Sequence, residues 1–277
     1  MARTTIRTED VTAGAISATD IASNSITATQ IAANAIGNSE MADDAVGINE
    51  LSATGTASAT TFLRGDNAWA SAAAGFHNVQ FITATDTTVD LTSGTTLIVV
   101  EVQGAGGAAA GSNGPGAYGG CGAAGGYSMQ KLTVVDTDTW NVTIGAGGTD
   151  AGTKPGGDAV FAQASGSSLG STITAGGGGG GTDPPGGSGS HQNGGAGGTV
   201  TNTNAGAFNI TGSDGASGGL DKQGANSRWG QGGIRRVAGS GAGGNATGYG
   251  AGGGDPNGAS QAGGSGSGAL VVIWEYK

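Results

Sequence analysis

Two histidines, His77 and His191, and one cysteine, Cys121, are the only residues of their kinds in a chain of 277. Nucleophilic catalysis of the Ser-His-Asp type needs a histidine held between a nucleophile and an orienting acid. Neither histidine lies in such a motif, and no disulfide framework or cysteine-rich zinc site can be built on a single thiol. Val102-Gln-Gly-Ala-Gly-Gly-Ala-Ala-Ala-Gly111 has the strand-then-glycine look of a dinucleotide turn, but Ser112-Asn-Gly-Pro-Gly116 breaks the helix whose N-terminus would hold the pyrophosphate. Gly156-Gly-Asp-Ala-Val-Phe161 looks like half of a calcium β-roll repeat without its tandem copies, and reads as a turn entering a strand. These features predict no enzyme, no cofactor and no metal. Paired carboxylates for glycan hydrolysis remain the enzymatic alternative.

Recognition chemistry is better represented. Lys222, Arg228, Arg235 and Arg236 gather four of the ten basic residues around Trp229. Arg and Trp are enriched at binding hot spots, and a guanidinium pairs bidentately with phosphate or carboxylate. A second reading stays open: Trp229 anchors one loop and the charges are solvated. Tyr249, Phe208, Tyr118 and His191 are further candidates, as large residues in glycine-rich surroundings. A net charge of −10 argues against nucleic acid, because phosphate neutralisation requires clustered cations. No apolar leader opens the sequence, and Ala269 to Trp274 is too short to span a bilayer, so synthesis in the cytoplasm without membrane insertion is expected.

The elements that must position these residues are unusual. Ile, Val, Leu and Phe together make about 15% of the chain, below the roughly 20% at which a conventional core becomes doubtful. Glycine numbers 62, nearly all of it after Gln103 and spaced too irregularly for collagen. From Val11, four decads follow without a gap, VTAGAISATD, IASNSITATQ, IAANAIGNSE and MADDAVGINE, and Leu51 opens a partial fifth. Apolar residues take the first and sixth positions of each. Ser17-Ala-Thr-Asp20 and Thr27-Ala-Thr-Gln30 have the form of capping boxes, and Gly14, Asn24, Asn34 and Asp44 tolerate the left-handed conformation that ends a short helix. One short helical turn and one extended step per decad are predicted. Two apolar residues in ten cannot close a core within one chain, which favours a parallel homotrimer over a dimer or a disordered linker. Residues 52–75 form a junction, in which Arg64-Gly65-Asp66 reads as a turn rather than an integrin motif.

After Gly75, β-branched runs mark strands at Val79–Thr83, Thr96–Gln103, Tyr127–Val135, Thr139–Ile144, Ala159–Ala162, Ser171–Thr174 and Ala269–Tyr276. Their spacing predicts an antiparallel sandwich from which one long glycine-rich excursion departs and returns.

The order of Val99-Val-Glu-Val-Gln-Gly-Ala-Gly-Gly107, Gly125-Gly-Tyr127, Thr143 to Gly148, Thr174 to Gly181 and Gly268 to Tyr276 resembles the glycine-rich C-terminal domain of phage tail fibres and tail adhesins; Thr61 to Asp66 and the decads are similar to tail-fibre shafts. The resemblance implies an all-β chain: a tail-attachment segment at 1–10, a fibrous trimeric shaft at 11–51, the junction at 52–75, and a receptor-binding module at 76–277. In that module a β-sandwich carries a polyglycine II tip whose loops meet the host. The lattice is expected to be interrupted at Ala108-Ala-Ala110 and between Thr199 and Asn204. The implied partners are two further copies, phage tail or baseplate proteins at the N-terminus, and a host-surface glycan or outer-membrane protein. The implied location is the virion. A structural fibre or decoration protein that binds no receptor is the alternative.

Overall fold

The computed structural model describes residues 11–37, 41, 53–59, 61–71, 75–114, 116–152, 154–166, 168–185, 191–218, 222–234, 241–258 and 260–277. The proposed attachment segment 1–10, Asp44 and most of the fourth decad lie outside them. The chain divides into two compact units, Met1–Ala72 and Ala73–Lys277.

In the first unit the first two decads each hold two turns, and the described part of the third holds the first of them. Ala15 N–H donates to the Thr12 carbonyl, Ser25 to Ala22 and Ala35 to Ala32, with φ of 80°, 62° and 66° at Gly14, Asn24 and Asn34. A positive φ at the third position is what a type II turn requires, so these residues serve a β-turn, not the end of a helix as their spacing suggested. The second turn is the capped one. Ser17 N–H and Oγ both donate to Asp20 Oδ2 at 2.9 and 2.6 Å, and Ala18–Asp20 is a single 3-10 turn; Thr27 and Gln30 repeat the arrangement. Both apolar positions point outward: Val11, Ile16, Ile21, Ile26, Ile31 and Ile36 are all exposed. The junction folds as a hairpin of β1 (Thr61–Leu63) and β2 (Trp69–Ser71) around an Arg64–Asn67 turn, with Asn67 at φ 60° and Arg64 ion-paired to Asp66.

The second unit is built on two five-stranded antiparallel sheets. One sheet orders β11 (Phe208–Ile210), β6 (Tyr127–Thr133), β5 (Leu97–Gln103), β14 (Leu270–Tyr276) and β3 (Phe76–Ile82). The other orders β10 (Val200–Thr201), β9 (Ile173–Ala175), β8 (Ala159–Ser165), β7 (Thr139–Thr143) and β4 (Asp86–Asp90). Alternate residues of β5 and β14, among them Ile98, Val100, Val102, Val271 and Ile273, meet Val142, Phe161 and Ile173 in one buried core, where Trp140 stacks on Phe161 at 4.7 Å. Glu275 lies fully buried at its margin. Burial opposes its ionisation, but Gln80 Nε2 (2.8 Å), Thr92 N–H (2.7 Å), Thr95 Oγ1 (2.8 Å) and Asn78 Nδ2 (3.1 Å) donate to it and hold the carboxyl below the usual glutamate range. Among the described residues the chain is thus nearly all-β, with the 3-10 turn its only helical element.

The predicted single excursion is instead a series. The chain leaves the sheets after β5, β7, β9 and β11 and each time runs back toward them. Its backbone pairs with a period of three. The amides of Gly104, Ala105 and Gly106 donate in turn to the carbonyls of Gly126, Gly157 and Ser267. The rotation then repeats, with Gly107 donating to Ala123, Ala108 to Lys154, Ala109 to Gly264 and Ala110 to Gly120. Segment 119–126 is wholly buried and touches six others. It donates in turn to 176–182, 213–216 and 250–253, and accepts from 104–110, 195–198 and Ala225. Side chains are excluded where these segments cross. A Cβ at Gly120 would overlap the Asn193 carbonyl oxygen, and one at Gly253 that of Gly264. The two expected interruptions resolve differently. Ala108, Ala109 and Ala110 are fully buried and keep the rotation, whereas Val200–Thr201 is a strand that joins the second sheet.

Candidate recognition surfaces

The period-three pairing fixes where each candidate falls. Segments leave the sheets, turn, and return, and among the described residues parts of four excursions meet away from the sheets, at Gly111 to Asn113, Asp150, Asp183 and Ser260 to Ala262, with Tyr118 beside His191. Segment 222–226 runs alongside 119–126, because Ala225 N–H donates to the Gly122 carbonyl. It reaches the sheet end at Ser227–Gly230, a turn closed by Ser227 N–H donating to the Gly230 carbonyl. There β12 (Trp229–Gln231) pairs with β13 (Thr247–Tyr249). Lys222 opens this segment and Arg228 lies in the turn six residues on. The basic cluster of the sequence is therefore divided: Arg228 and Trp229 at the sheet end, Lys222 exposed toward the outer turns. Arg235 and Arg236 lie outside the described residues.

At the sheet end, Arg228 Nε donates to Glu101 Oε2 at 3.2 Å, and its guanidinium lies 5.1 Å above the Tyr127 ring. Glu101, on the outward face of β5 but buried, also accepts from Tyr127 Oη (2.6 Å) and Trp274 Nε1 (3.0 Å). Burial, reinforced by the Glu101 carboxylate, pushes the Tyr127 phenol above its usual range, and the bond to Glu101 raises Arg228. Trp229 is half-buried with its ring edge to face against Phe81 at 6.5 Å; its Nε1 is buried without an acceptor. Arg228 and Trp229 thus fasten the β12–β13 hairpin to the outer face of the first sheet. Tyr249, half-buried, sits opposite Trp229 in that hairpin, and Phe208 is exposed on β11 opposite Met129. Between sheet and glycine segments lies a pocket of about 400 Å³ bounded by Gln103, Tyr127, Ile210, Thr211, Ser213 and Arg228.

At the outer end, Tyr118 and His191 come together. Their rings are 5.5 Å apart, their backbones form a parallel bridge, and His191 Nδ1 lies 2.8 Å from the Gly218 carbonyl oxygen. Lys154 joins Asp150 (3.6 Å) to Asp183, and these two aspartates with Ser112, Asn113, Ser260 and Gln261 line an open polar pocket of about 490 Å³. Carboxylates, hydroxyls and amides in this density suit hydrogen bonding to a polyhydroxylated ligand. Among the described residues no group of three or more His, Cys, Asp or Glu is placed to hold a metal ion.

The match to known families follows the second unit closely. Residues 82–275 fit the glycine-rich domain family. The chain belongs to this family. The matched span runs from the end of β3 to Glu275 near the end of β14, so the glycine-rich domain takes in every strand of the two sheets except β3 and every excursion between them. No curated protein matches the chain in sequence.

The Glu101–Tyr127–Trp274 setting of Arg228 was not legible in the sequence. Its members lie on three strands, and nothing in the local pattern around Glu101 separates it from an ordinary exposed strand residue.

Proposed function

We propose that the chain is a non-enzymatic, homotrimeric phage tail-fibre adhesin. Residues 1–10 attach it to the tail or baseplate, the decads form the shaft, and the outer turns of the glycine-rich domain bind a host-surface glycan or outer-membrane protein. The observation that carries this reading is the meeting of described parts of the excursions away from the sheets of a backbone-paired body, where they hold the Tyr118–His191 pair and the polar pocket around Asp150 and Asp183. The period-three rotation of hydrogen bonds and the six neighbours of segment 119–126 support a polyglycine II lattice as that body. The exposed apolar pair in each of the first three decads supports the shaft, since an aqueous monomer gains nothing from a regular row of exposed isoleucines.

A structural fibre or virion decoration protein is the second reading, favoured by the engagement of Arg228 and Trp229 in the protein itself. The two readings separate in a cell-binding assay with the purified chain. The adhesin reading expects host cells to bind it and expects Tyr118→Ala with His191→Ala, or Arg235→Ala with Arg236→Ala, to lower binding at least tenfold. Arg228→Ala should retain binding. A chain that does not bind host cells at micromolar concentration contradicts the adhesin reading.

A further inference from the structure

The outer face of the first sheet carries a continuous row of aromatic rings: Tyr276, Phe76, Trp274, Phe81 and Trp229, joined by centroid distances of 6.2, 6.3, 6.5 and 6.5 Å. The register puts Val99 and Val79 beside Trp274 on the same face. Phe76 and Phe81 are 60% and 56% exposed, and across the sheet Phe208 and Ile210 are 52% and 45% exposed. Sheets of one sandwich normally turn one face to water and alternate accordingly. Along β14 this sheet is apolar on both faces, with Val271 and Ile273 turned inward and Val272 and Trp274 outward, and β3 adds Phe76, Val79 and Phe81 to the outer face.

We propose that this face packs against the same module of another copy of the chain, so that the homotrimer is held at its glycine-rich domains as well as at its decads. Three observations favour a copy over another occupant. First, the rings meet at interplanar angles of 58°, 78°, 87° and 68°, the tilted and edge-to-face packing of a protein interior, whereas a saccharide platform needs ring faces presented with unengaged polar groups; Val79, Val99 and Val272 lie among these rings, and the polar groups beside them, Glu101 and Arg228, are bonded to each other and to Trp274 and Tyr127. Second, the charges beside the row are Glu101, ion-paired to Arg228, and the cation Lys131 opposite Val99, so copies of a chain of net charge −10 can meet there without opposing their acidic surfaces. Third, the area suits an interface. Half-exposed side chains of this size offer roughly 100 Å² each, so the four exposed residues alone supply about half of the ~800 Å² that a partner contributes to a standard interface, before Trp274, Tyr276 and Met129 are added.

The inference rests in part on the trimeric reading of the decads. Chains joined there have their modules tethered by a short connection to Phe76, and tethering converts a weak contact into an intramolecular one. The test uses the full chain under reducing conditions, with its mass measured by light scattering and maleimide labelling of the F81C thiol compared with that of I234C. Ile234 is 65% exposed toward the outer turns, and Cys121 is buried and silent. F76C repeats the measurement should F81C fail to fold. A trimer in which the F81C thiol labels at least tenfold more slowly than I234C is expected. A trimer in which both label alike overturns this inference and leaves the decad reading intact. A monomer that labels both alike overturns both. A monomer at low concentration whose F81C thiol becomes protected on concentration overturns the decad reading and upholds this one. Protection that arises only when host polysaccharide is added assigns the face to a glycan and overturns the contact between copies.

Discussion

Val100 and Ala109 lie on one continuous stretch of chain, both fully buried, and are held in different ways. Val100 belongs to a ladder: it faces Ile273 on one side and Gln130 on the other, and its side chain fills the core between the sheets. Ala109 belongs to a rotation: its amide goes to Gly264, the preceding one to Lys154 and the following one to Gly120. In the sandwich, buried apolar volume sets the partners and the backbone pairing follows. In the glycine-rich segments the backbone sets the partners, and side chains are tolerated only where a methyl finds room. The low content of large apolar residues therefore limits the sandwich alone; the rest is ordered by amide pairing, which buried backbone requires in any case.

The comparison breaks most visibly if the segment crossings are filled. Gly253→Val and Gly120→Val each drive a side chain into a backbone carbonyl that has no freedom to move. Each is expected to cost about 4 kcal/mol or more, since overpacking and backbone displacement add, with loss of cooperative thermal unfolding as the readout.

A cut on the sandwich side should cost nearly as much for the opposite reason. Phe161→Ala removes the ring stacked on Trp140 and leaves a cavity, with an expected loss of about 3 to 5 kcal/mol in urea titration.

Glu275→Gln probes the polar margin of that core. Its carboxylate is ionised at neutral pH and accepts four hydrogen bonds, so the substitution should cost about 1 to 3 kcal/mol at pH 7. The folded-state pKa is depressed, so this stability is present above the ordinary glutamate range and is lost as pH falls through the folded value. The gap in urea midpoint between wild type and E275Q should accordingly narrow on acidification from about pH 7 to about pH 3.

The smallest effect sharpens the comparison from the glycine-rich side. Ala109→Gly removes one buried methyl and leaves the amide rotation untouched, and should cost about 1 kcal/mol by the same titration. Conversion of a sheet residue such as Val100 to glycine would cost far more.

These regions were not equally legible in the sequence. The runs at Thr96–Gln103, Tyr127–Val135 and Ala269–Tyr276 correspond to β5, β6 and β14 within two residues, because β-branched side chains on a buried sheet leave a clear signature. Asp86–Asp90 carries no such signature. It is an edge strand of polar residues with Val89 alone turned into the core, so its alternation is nearly silent. The left-handed positions of the decads were correctly placed at Gly14, Asn24 and Asn34, but as helix ends instead of β-turns, since residue type reports φ and not the turn that needs it. Glycine content pointed to backbone pairing without saying which segments pair. Partners chosen through carbonyls and amides leave no mark on side chains, and the three alanines at 108–110 read as a break when they continue the pattern. The recognition candidates divided along the same line: Lys222 and Arg228 are neighbours in sequence, and a glycine segment holds them at opposite ends.

Amide hydrogen exchange tests the central claim most directly. If the glycine-rich segments are held by their own backbone pairing, the amides of Gly107 to Ala110 and Cys121 to Gly125 should exchange as slowly as those of Val100 and Ile273, at the rate of global unfolding. Exchange of these amides at the rate of an unstructured chain, with the sheets still protected, would contradict it.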